Sequence, residues 1–124
     1  MNIDFRDRMR AAGLHATRPS LYNPIKAGNF NVSIQASSFH YCMPRASGLP
    51  LEQYEAFEVG IGDADMNWIL PRKSLVQFAW VSRFESGPFT SVAGWLTVAE
   101  VQQLVDDLCT MDSYENGPVS NPSS

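Results

Sequence analysis

A histidine and a cysteine two positions apart, His40 and Cys42, are the residues of this chain with the clearest chemical potential. Residues i and i+2 of an extended strand point to the same side, so the imidazole and the thiol would lie side by side. A base within hydrogen-bond reach of a thiol is the arrangement of a nucleophilic cysteine. A free cysteine is more commonly a small buried hydrophobic residue, and we favour that interpretation. The sequence therefore predicts a non-enzymatic protein, with a thiol-dependent enzyme using His40 and Cys42 as the alternative.

The spacings that metal and nucleotide sites require are missing from the sequence. Its histidines and cysteines are dispersed and form neither a CxxC nor an HExxH motif: His15, His40, Cys42 and Cys109. Asp63 and Asp65 stand two positions apart, but the ligand series of a calcium loop does not follow them. Gly60 and Gly62 lack the third glycine and the following helix of a dinucleotide-binding turn. We therefore predict no metal and no cofactor.

The net charge of −4 conceals two oppositely charged parts of the chain. Residues 1–45 have six basic and two acidic side chains, whereas residues 46–124 have three basic and eleven acidic ones. The N-terminal arginines are candidate nucleic-acid contacts: Arg6, Arg8, Arg10 and Arg18. A sequence pI near 5.0 argues against a strong phosphate-binding surface, so a nucleic-acid adaptor is an alternative and not our prediction. The acidic part favours a basic protein partner, unless both parts are simply solvated surfaces.

Local patterns predict the elements that position these residues. A short helix over 3–12 is capped by Asn2 or Asp4 and stopped by Gly13. Residues 14–28 are predicted to be an irregular connection. Alternating apolar and polar residues then predict a strand over 29–36, which continues toward Pro44 in a longer version. Further strands are predicted at 54–61, 66–70, 75–84 and 90–96.

Two of these strands carry particular expectations. Over 75–84, aromatic and β-branched residues favour a strand, while the capping-box spacing of Ser74 and Gln77 would favour a short helix. Over 90–96, period-two alternation places Val92 and Leu96 on one face and Ala93 and Trp95 on the other.

The clearest helix begins at the capping box formed by Thr97 and Glu100. Its apolar stripe is predicted to face a core: Val98, Val101, Leu104, Val105 and Leu108. Asp106 and Asp107 stand near the C-terminus, where the helix dipole disfavours an exposed acid by about 0.3–1 kcal/mol. This local conflict is consistent with a surface on which negative charge serves a partner.

The predicted fold is α+β, with one domain over 1–112 and a flexible tail over 113–124. An antiparallel sheet of three to five strands carries the C-terminal amphipathic helix on one face and a short N-terminal helix beside it. No window approaches the ~20 apolar residues of a membrane span, and the first residues show no secretory signal. Because the chain has only two cysteines, we expect a cytoplasmic protein with reduced thiols.

The predicted contact surface for a protein partner is acidic and aromatic. Its acids lie on the C-terminal helix or just after it: Glu100, Asp106, Asp107 and Asp112. The aromatic content is too large for so small a domain to bury completely, which predicts three exposed contacts: Met66, Trp68 and Trp80. An unpaired sheet edge would also permit a homodimer.

Three stretches of the sequence resemble small uncharacterised phage and prophage proteins of proteobacteria. They are SFHYCMPR at 38–45, ExxEVG at 55–60 and VAGWLTVxxV at 92–101. The resemblance implies a mobile-element gene and a bacterial cytoplasm, and it assigns no role to any residue. By analogy with anti-CRISPR and other anti-defence proteins as a class, it implies a protein that binds and inhibits a host protein.

Overall fold

The computed structural model describes residues 3–65, 67–84 and 92–111. Within them, four antiparallel strands form one sheet in chain order: β1 Ile25–Ala27, β2 Phe30–Gln35, β3 Ala56–Gly62 and β4 Val92–Thr97. The helices are α1 Phe5–Ala12, α2 Pro71–Ser74 and α3 Val98–Cys109, with short 3₁₀ helices at Leu51–Gln53 and Ala79–Arg83. The predicted α+β fold, with its C-terminal and short N-terminal helices, is confirmed.

The strand register aligns the apolar positions on one side of the sheet, which we call the core face. Val32 lies opposite Ile61, and Ile34 lies opposite Val59, so the alternation predicted for β2 and β3 is confirmed. β1 falls in the region predicted to be irregular, and it joins the sheet because Ile25 pairs with Val32. The residues of the core face are almost completely removed from solvent: Ile25, Ala27, Phe30, Val32, Ile34, Phe57, Val59, Ile61, Ala93 and Leu96.

α3 packs on the core face, in contact with β1, β3 and β4. It begins at the predicted capping box, in which the Glu100 N–H donates to Thr97 Oγ1 at 3.2 Å and the Thr97 N–H donates to Glu100 Oε1 at 2.9 Å. Most of the predicted apolar stripe is fully buried: Val101, Leu104, Val105 and Leu108. Burial of each such side chain stabilises the fold by about 1.5–3 kcal/mol.

α1 is anchored to α3 by one glutamine that contacts the backbone twice. Gln102 Oε1 accepts from the Phe5 N–H, and its Nε2 donates to the Ile3 carbonyl, each at 2.9 Å. Phe5 and Met9, the predicted apolar side of α1, are fully buried. The Phe5 ring meets the Phe57 ring edge to face, with centroids 5.4 Å apart, so α1 joins the same core.

The strand predicted over 75–84 is wrong, because this segment forms turns and the 3₁₀ helix Ala79–Arg83. Its buried residues do not alternate, since Trp80 and Val81 are adjacent, so they could not line one side of a strand: Leu75, Trp80, Val81 and Phe84. The Trp80 indole N–H donates to Asp107 Oδ2 at 2.8 Å, which fastens the segment to α3. The aromatic composition therefore serves packing beside the helix and not pairing in the sheet.

Three other expectations need correction. Residues 66–70 contribute one bridge, between Trp68 and Gly62, and no hairpin strand among those described. Beyond Gln35 the chain turns away and does not continue as a strand toward Pro44. Val92 and Leu96 do not share a face as predicted, because the register between β3 and β4 shifts. The predicted tail over 113–124 lies outside the described residues.

Replacing Gln102 by alanine should separate α1 from α3. We expect the free energy of unfolding to fall by about 1–3 kcal/mol, because the Phe5 N–H loses its acceptor. The matched control is Gln103→Ala, in which an amide that donates to Asp107 on the exposed helix surface is lost. That variant should stay within about 0.5 kcal/mol of the parent in urea denaturation. Equal losses in the two variants would contradict this account of α1.

Candidate functional site

The side of the sheet opposite the core face, which we call the open face, is lined by small and polar residues. Its positions on the three longer strands include Asn31, Ser33, Gln35, Glu58, Gly60, Val92 and Gly94. At Gly60 and Gly94, the missing side chain lets another part of the chain lie directly on the strand. A loop and three aromatic side chains occupy that space.

The loop after β2 crosses the open face and is held there by hydrogen bonds to β3, β4 and the residue before β3. The Tyr41 N–H donates to Glu58 Oε1, and the Trp95 N–H donates to the Tyr41 carbonyl, each at 2.9 Å. The Met43 N–H then donates to the Ala56 carbonyl at 3.1 Å. Because the loop backbone is fixed at these points, the direction of its side chains is fixed as well.

Alternate residues of this loop carry large apolar side chains into solvent. Phe39 is 76% exposed, and Tyr41 and Met43 are each about half exposed. Between them, His40 is half-buried and Cys42 is buried. The loop therefore has apolar residues on both of its sides, and only one side contributes to the core.

Tyr41 and Trp95 form a stacked aromatic pair on the open face. Their ring centroids are 4.9 Å apart and their planes are inclined by 28°. Tyr41 rests on Gly94, where an added Cβ atom would come within 2.8 Å of the Tyr41 Cβ. The Arg45 guanidinium lies over the Tyr41 ring, 5.6 Å from its centroid. Trp95 nevertheless remains 49% exposed.

Trp68 covers the second glycine of the open face. A Cβ atom on Gly60 would lie 3.0 Å from the Trp68 ring. Gly60 is about 7 Å along β3 from Glu58, whose carboxylate accepts from the Tyr41 N–H. Asp63 orders the turn before the tryptophan, because its Oδ1 accepts from the Asn67 N–H at 2.9 Å. Trp68 is 52% exposed, as predicted from the sequence.

These exposed side chains form what we call the aromatic surface: Phe39, Tyr41, Met43, Trp68 and Trp95. Trp95 has a φ of +57°, a left-handed conformation that costs an ordinary residue about 1–2 kcal/mol. The register shift beside it re-aims the ring toward solvent, as bulges commonly do next to functional sites. Strain held at an exposed ring is typical of positions selected for function.

Acidic groups border the aromatic surface. Glu58 lies beneath Tyr41, Glu55 donates its N–H to the Met43 carbonyl, and Asp65 stands in the turn after β3. Within the described ranges, none of these three acids takes part in an ion pair. The border of the surface therefore carries negative charge that the fold itself leaves uncompensated.

Glu100, predicted to contact a partner, is engaged within the fold. It completes the capping box of α3 and forms an ion pair with Arg83. Burial raises the pKa of Glu100, but the Thr97 N–H and the Arg83 guanidinium outweigh burial and leave that pKa below its ordinary value. Because Arg83 balances its charge and Thr97 occupies its oxygen, this carboxylate offers little attraction to a basic partner.

The two aspartates predicted as contacts are also hydrogen-bonded internally. Asp106 Oδ1 accepts from Gln102 at 3.0 Å, and Asp107 accepts from Trp80 at 2.8 Å and from Gln103 at 2.9 Å. Trp80 is only 5% exposed, so the expectation that it is an exposed contact is wrong. Asp107 gives the indole N–H a partner inside the fold, which permits that burial and explains an acid at the helix end.

The structure therefore places Trp68 on the same face of the sheet as Tyr41 and Trp95, and not beside the acidic helix. Met66 and Asp112, the other predicted contacts, lie outside the described residues. Sequence reasoning missed Tyr41 and Trp95 as surface residues. The sequence does contain a signal for Tyr41: residues 39–43 have apolar side chains at both odd and even positions, and an extended segment at the surface can bury only one of these two sets.

His40 and Cys42 do not form the dyad of the enzymatic alternative. Ser37 lies between them: its Oγ is 2.6 Å from His40 Nδ1, and its carbonyl accepts from the Cys42 thiol at 3.2 Å. The Pro44 carbonyl, 3.4 Å from the sulfur, is a second acceptor for the same S–H. Burial lowers the pKa of His40, with Glu58 opposing that shift, so the ring is mainly neutral at pH 7. A buried thiol that donates to carbonyls serves packing.

The N-terminal arginines are largely committed to local partners. Arg6 pairs with Asp4 at 2.7 Å, and Arg10 pairs with Asp7 at 2.7 Å. Arg8 donates to a backbone carbonyl of β1, at a distance of 3.2 Å. These contacts leave little of the basic surface that a nucleic acid would need.

The chain matches no protein-family model, no curated protein and no solved structure. The resemblance to phage proteins therefore stays a prediction. In the parts of the chain that the structure describes, no three His, Cys, Asp or Glu side chains are grouped to hold a metal ion. The same parts contain no helix that is both long and apolar enough to cross a membrane. The aromatic surface is thus the best guide to function.

Gly94→Ala should displace the Tyr41–Trp95 pair. The added Cβ would meet the Tyr41 Cβ at 2.8 Å, so we expect a loss of about 1–3 kcal/mol in the free energy of unfolding. Gly60→Ala is the control, because its Cβ would meet the Trp68 ring at 3.0 Å and Val92 Cγ1 at 3.5 Å, atoms that can shift more easily than the Tyr41 Cβ. Urea denaturation gives the stability, and near-ultraviolet circular dichroism reports the aromatic pair. A larger loss at Gly60 would contradict the geometry.

Thiol labelling distinguishes the packing role of Cys42 from a catalytic one. In the folded protein, we expect the half-buried Cys109 to react first and the buried Cys42 at least about 100-fold more slowly, since its opening should cost about 3 kcal/mol. A Cys109→Ser variant isolates the Cys42 reaction, and unfolding in urea should make it fast. Rapid labelling of Cys42 in the folded state would revive the enzymatic alternative.

Proposed function

We propose that this chain is a non-enzymatic protein-binding module that contacts its partner through the aromatic surface. The observation that carries the proposal is Trp95, a half-exposed ring held in a left-handed conformation and stacked on Tyr41. Because about half of this strained ring stays in contact with water, its burial contributes less to the fold than that of a core ring. A partner gains a rigid anchor of the kind that dominates protein interfaces.

The composition of the aromatic surface supports this role. Trp and Tyr are the residue types most enriched among binding hot spots, where truncation costs about 2 kcal/mol or more. Exposed apolar patches rimmed by polar residues mark interaction sites on small proteins. Because Tyr41 and Trp95 already stack on each other, they lose little side-chain freedom when a partner binds.

The resemblance to phage proteins favours a host protein as the partner. A small domain that covers part of a larger protein can block it by contact alone, which needs no catalytic residue. We therefore propose inhibition of a host protein in the bacterial cytoplasm, with a CRISPR-type defence complex as one such target. The enzymatic alternative has less support because the Cys42 thiol is buried and its S–H has two backbone carbonyls as acceptors, those of Ser37 and Pro44.

Trp95→Gly should separate binding from folding. Glycine relieves the left-handed strain while the stacking contact is lost, so we expect the free energy of unfolding to change by less than about 1 kcal/mol. Partner binding should weaken by about 30-fold or more, as expected for a hot-spot residue. Urea denaturation measures the first quantity. Affinity capture from bacterial lysate, quantified by mass spectrometry, identifies the partner and measures the second.

Two further variants complete this test. Trp68→Ala should also lose the partner, because it removes a second exposed ring from the same surface. Asp106→Asn on α3 keeps an acceptor for Gln102 and should retain the partner. A loss of about 3–5 kcal/mol in Trp95→Gly would identify a structural tryptophan. A partner retained by both tryptophan variants would refute the proposed surface.

A further inference from the structure

The charges around the aromatic surface are unequal. Glu55, Glu58 and Asp65 border it, and no ion pair within the described ranges involves them. Of the nearby bases, Arg83 is compensated by its ion pair with Glu100, whereas Arg45, over the Tyr41 ring, is set against the three acids. The aromatic rings therefore lie in a predominantly negative environment, which attracts cations and repels anions.

Arg45 already forms a cation–π contact with one ring of the aromatic surface. Its guanidinium already lies over the Tyr41 ring, 5.6 Å from the centroid. Tryptophan is the best cation–π acceptor among the aromatic residues. In the described part of the chain, no guanidinium or ammonium group lies over Trp68 or Trp95. Trp68 and Trp95 are thus available for a cation–π contact, whereas Tyr41 already has one.

We propose that the partner presents a basic segment and places an arginine side chain over Trp68, with Glu58 and Asp65 supplying the opposite charge. This inference rests on the proposed function, because it names the chemistry of the partner at the same surface. Arginine is favoured over lysine because its planar, weakly hydrated guanidinium stacks on aromatic rings. Glu58 lies two positions from Gly60, the residue that Trp68 covers, so the charge and the ring are neighbours.

Other occupants of the surface fit its charge less well. Two copies of this chain meeting through their aromatic surfaces would bring Glu58 and Asp65 toward the same acids of the other copy. Like charges facing each other across an interface oppose association. A nucleic acid would place phosphates against the same carboxylates. A basic protein segment is the occupant that both the rings and the acids favour.

The test titrates short Gly/Ser peptides into the full ¹⁵N-labelled chain. The peptides carry arginine, lysine or citrulline at the same positions, and NMR follows the indole N–H signals of the three tryptophans. We expect the arginine peptide to shift the signals of Trp68 and Trp95 and to leave the buried Trp80 unchanged. The lysine peptide should bind more weakly. Citrulline keeps the shape of arginine without its charge and should cause no shift.

A matched pair of variants tests the charge. Glu58→Gln removes the carboxylate charge and keeps an acceptor for the Tyr41 N–H, so arginine-peptide binding should weaken about two- to fivefold. Asp106→Asn removes the same charge on the other side of the sheet and keeps an acceptor for Gln102, so binding should not change. Equal weakening in both variants, or citrulline binding as tight as arginine binding, would overturn the inference.

The failure of this inference is distinguishable from the failure of the proposed function. If the captured partner requires Trp68 and Trp95 but the arginine peptide shifts neither signal, the surface binds protein by other chemistry and only this inference fails. If capture does not depend on the two tryptophans, the proposed function itself fails. A concentration-dependent dimer that shifts the same two signals would assign the surface to a second copy and would also overturn the inference.

Discussion

Burial of the core face under α3 is the interaction on which the rest of the structure depends. The sheet has two sides, and α3 packs with α1 on only one of them. The apolar residues of four strands converge there because the register of each pair keeps them on the same side. The opposite side must then be covered by segments without a regular element of their own. The candidate site exists because loops and single aromatic side chains, and not a helix, cover this side of the sheet.

At two glycines of the open face, the absence of a side chain lets an aromatic residue pack directly against the strand backbone. Gly60 admits the Trp68 ring and Gly94 admits Tyr41, so each aromatic side chain rests on bare backbone. Each of the two side chains is thereby about half buried, with Tyr41 47% and Trp68 52% exposed. The strained conformation of Trp95 belongs to the same arrangement, because it turns the indole onto Tyr41 and away from the core. Covering the sheet and presenting rigid aromatic rings are thus one structural solution.

Charged residues that looked available from the sequence prove to be occupied by the fold. Glu100 closes a helix cap and pairs with Arg83, and Asp107 receives the Trp80 indole. An acid near a helix C-terminus is unfavourable locally, but a buried indole N–H needs an acceptor, and that need outweighs the dipole. Charge that remains uncompensated is found elsewhere, at Glu58 and its neighbours beside the aromatic rings.

Local patterns in the sequence are sufficient to predict α1, β2, β3 and the capped α3, and with them the α+β class. Their caps and apolar periods repeat over a few residues, so no distant contact is needed to recognise them. Local patterns do not predict the form of residues 75–84, the bulge at Trp95 or the placement of Tyr41 and Trp68 on one face. Each depends on contacts between residues far apart in the chain. Sequence reasoning found Trp68 but not its neighbours, because burial of a ring is decided by what packs against it.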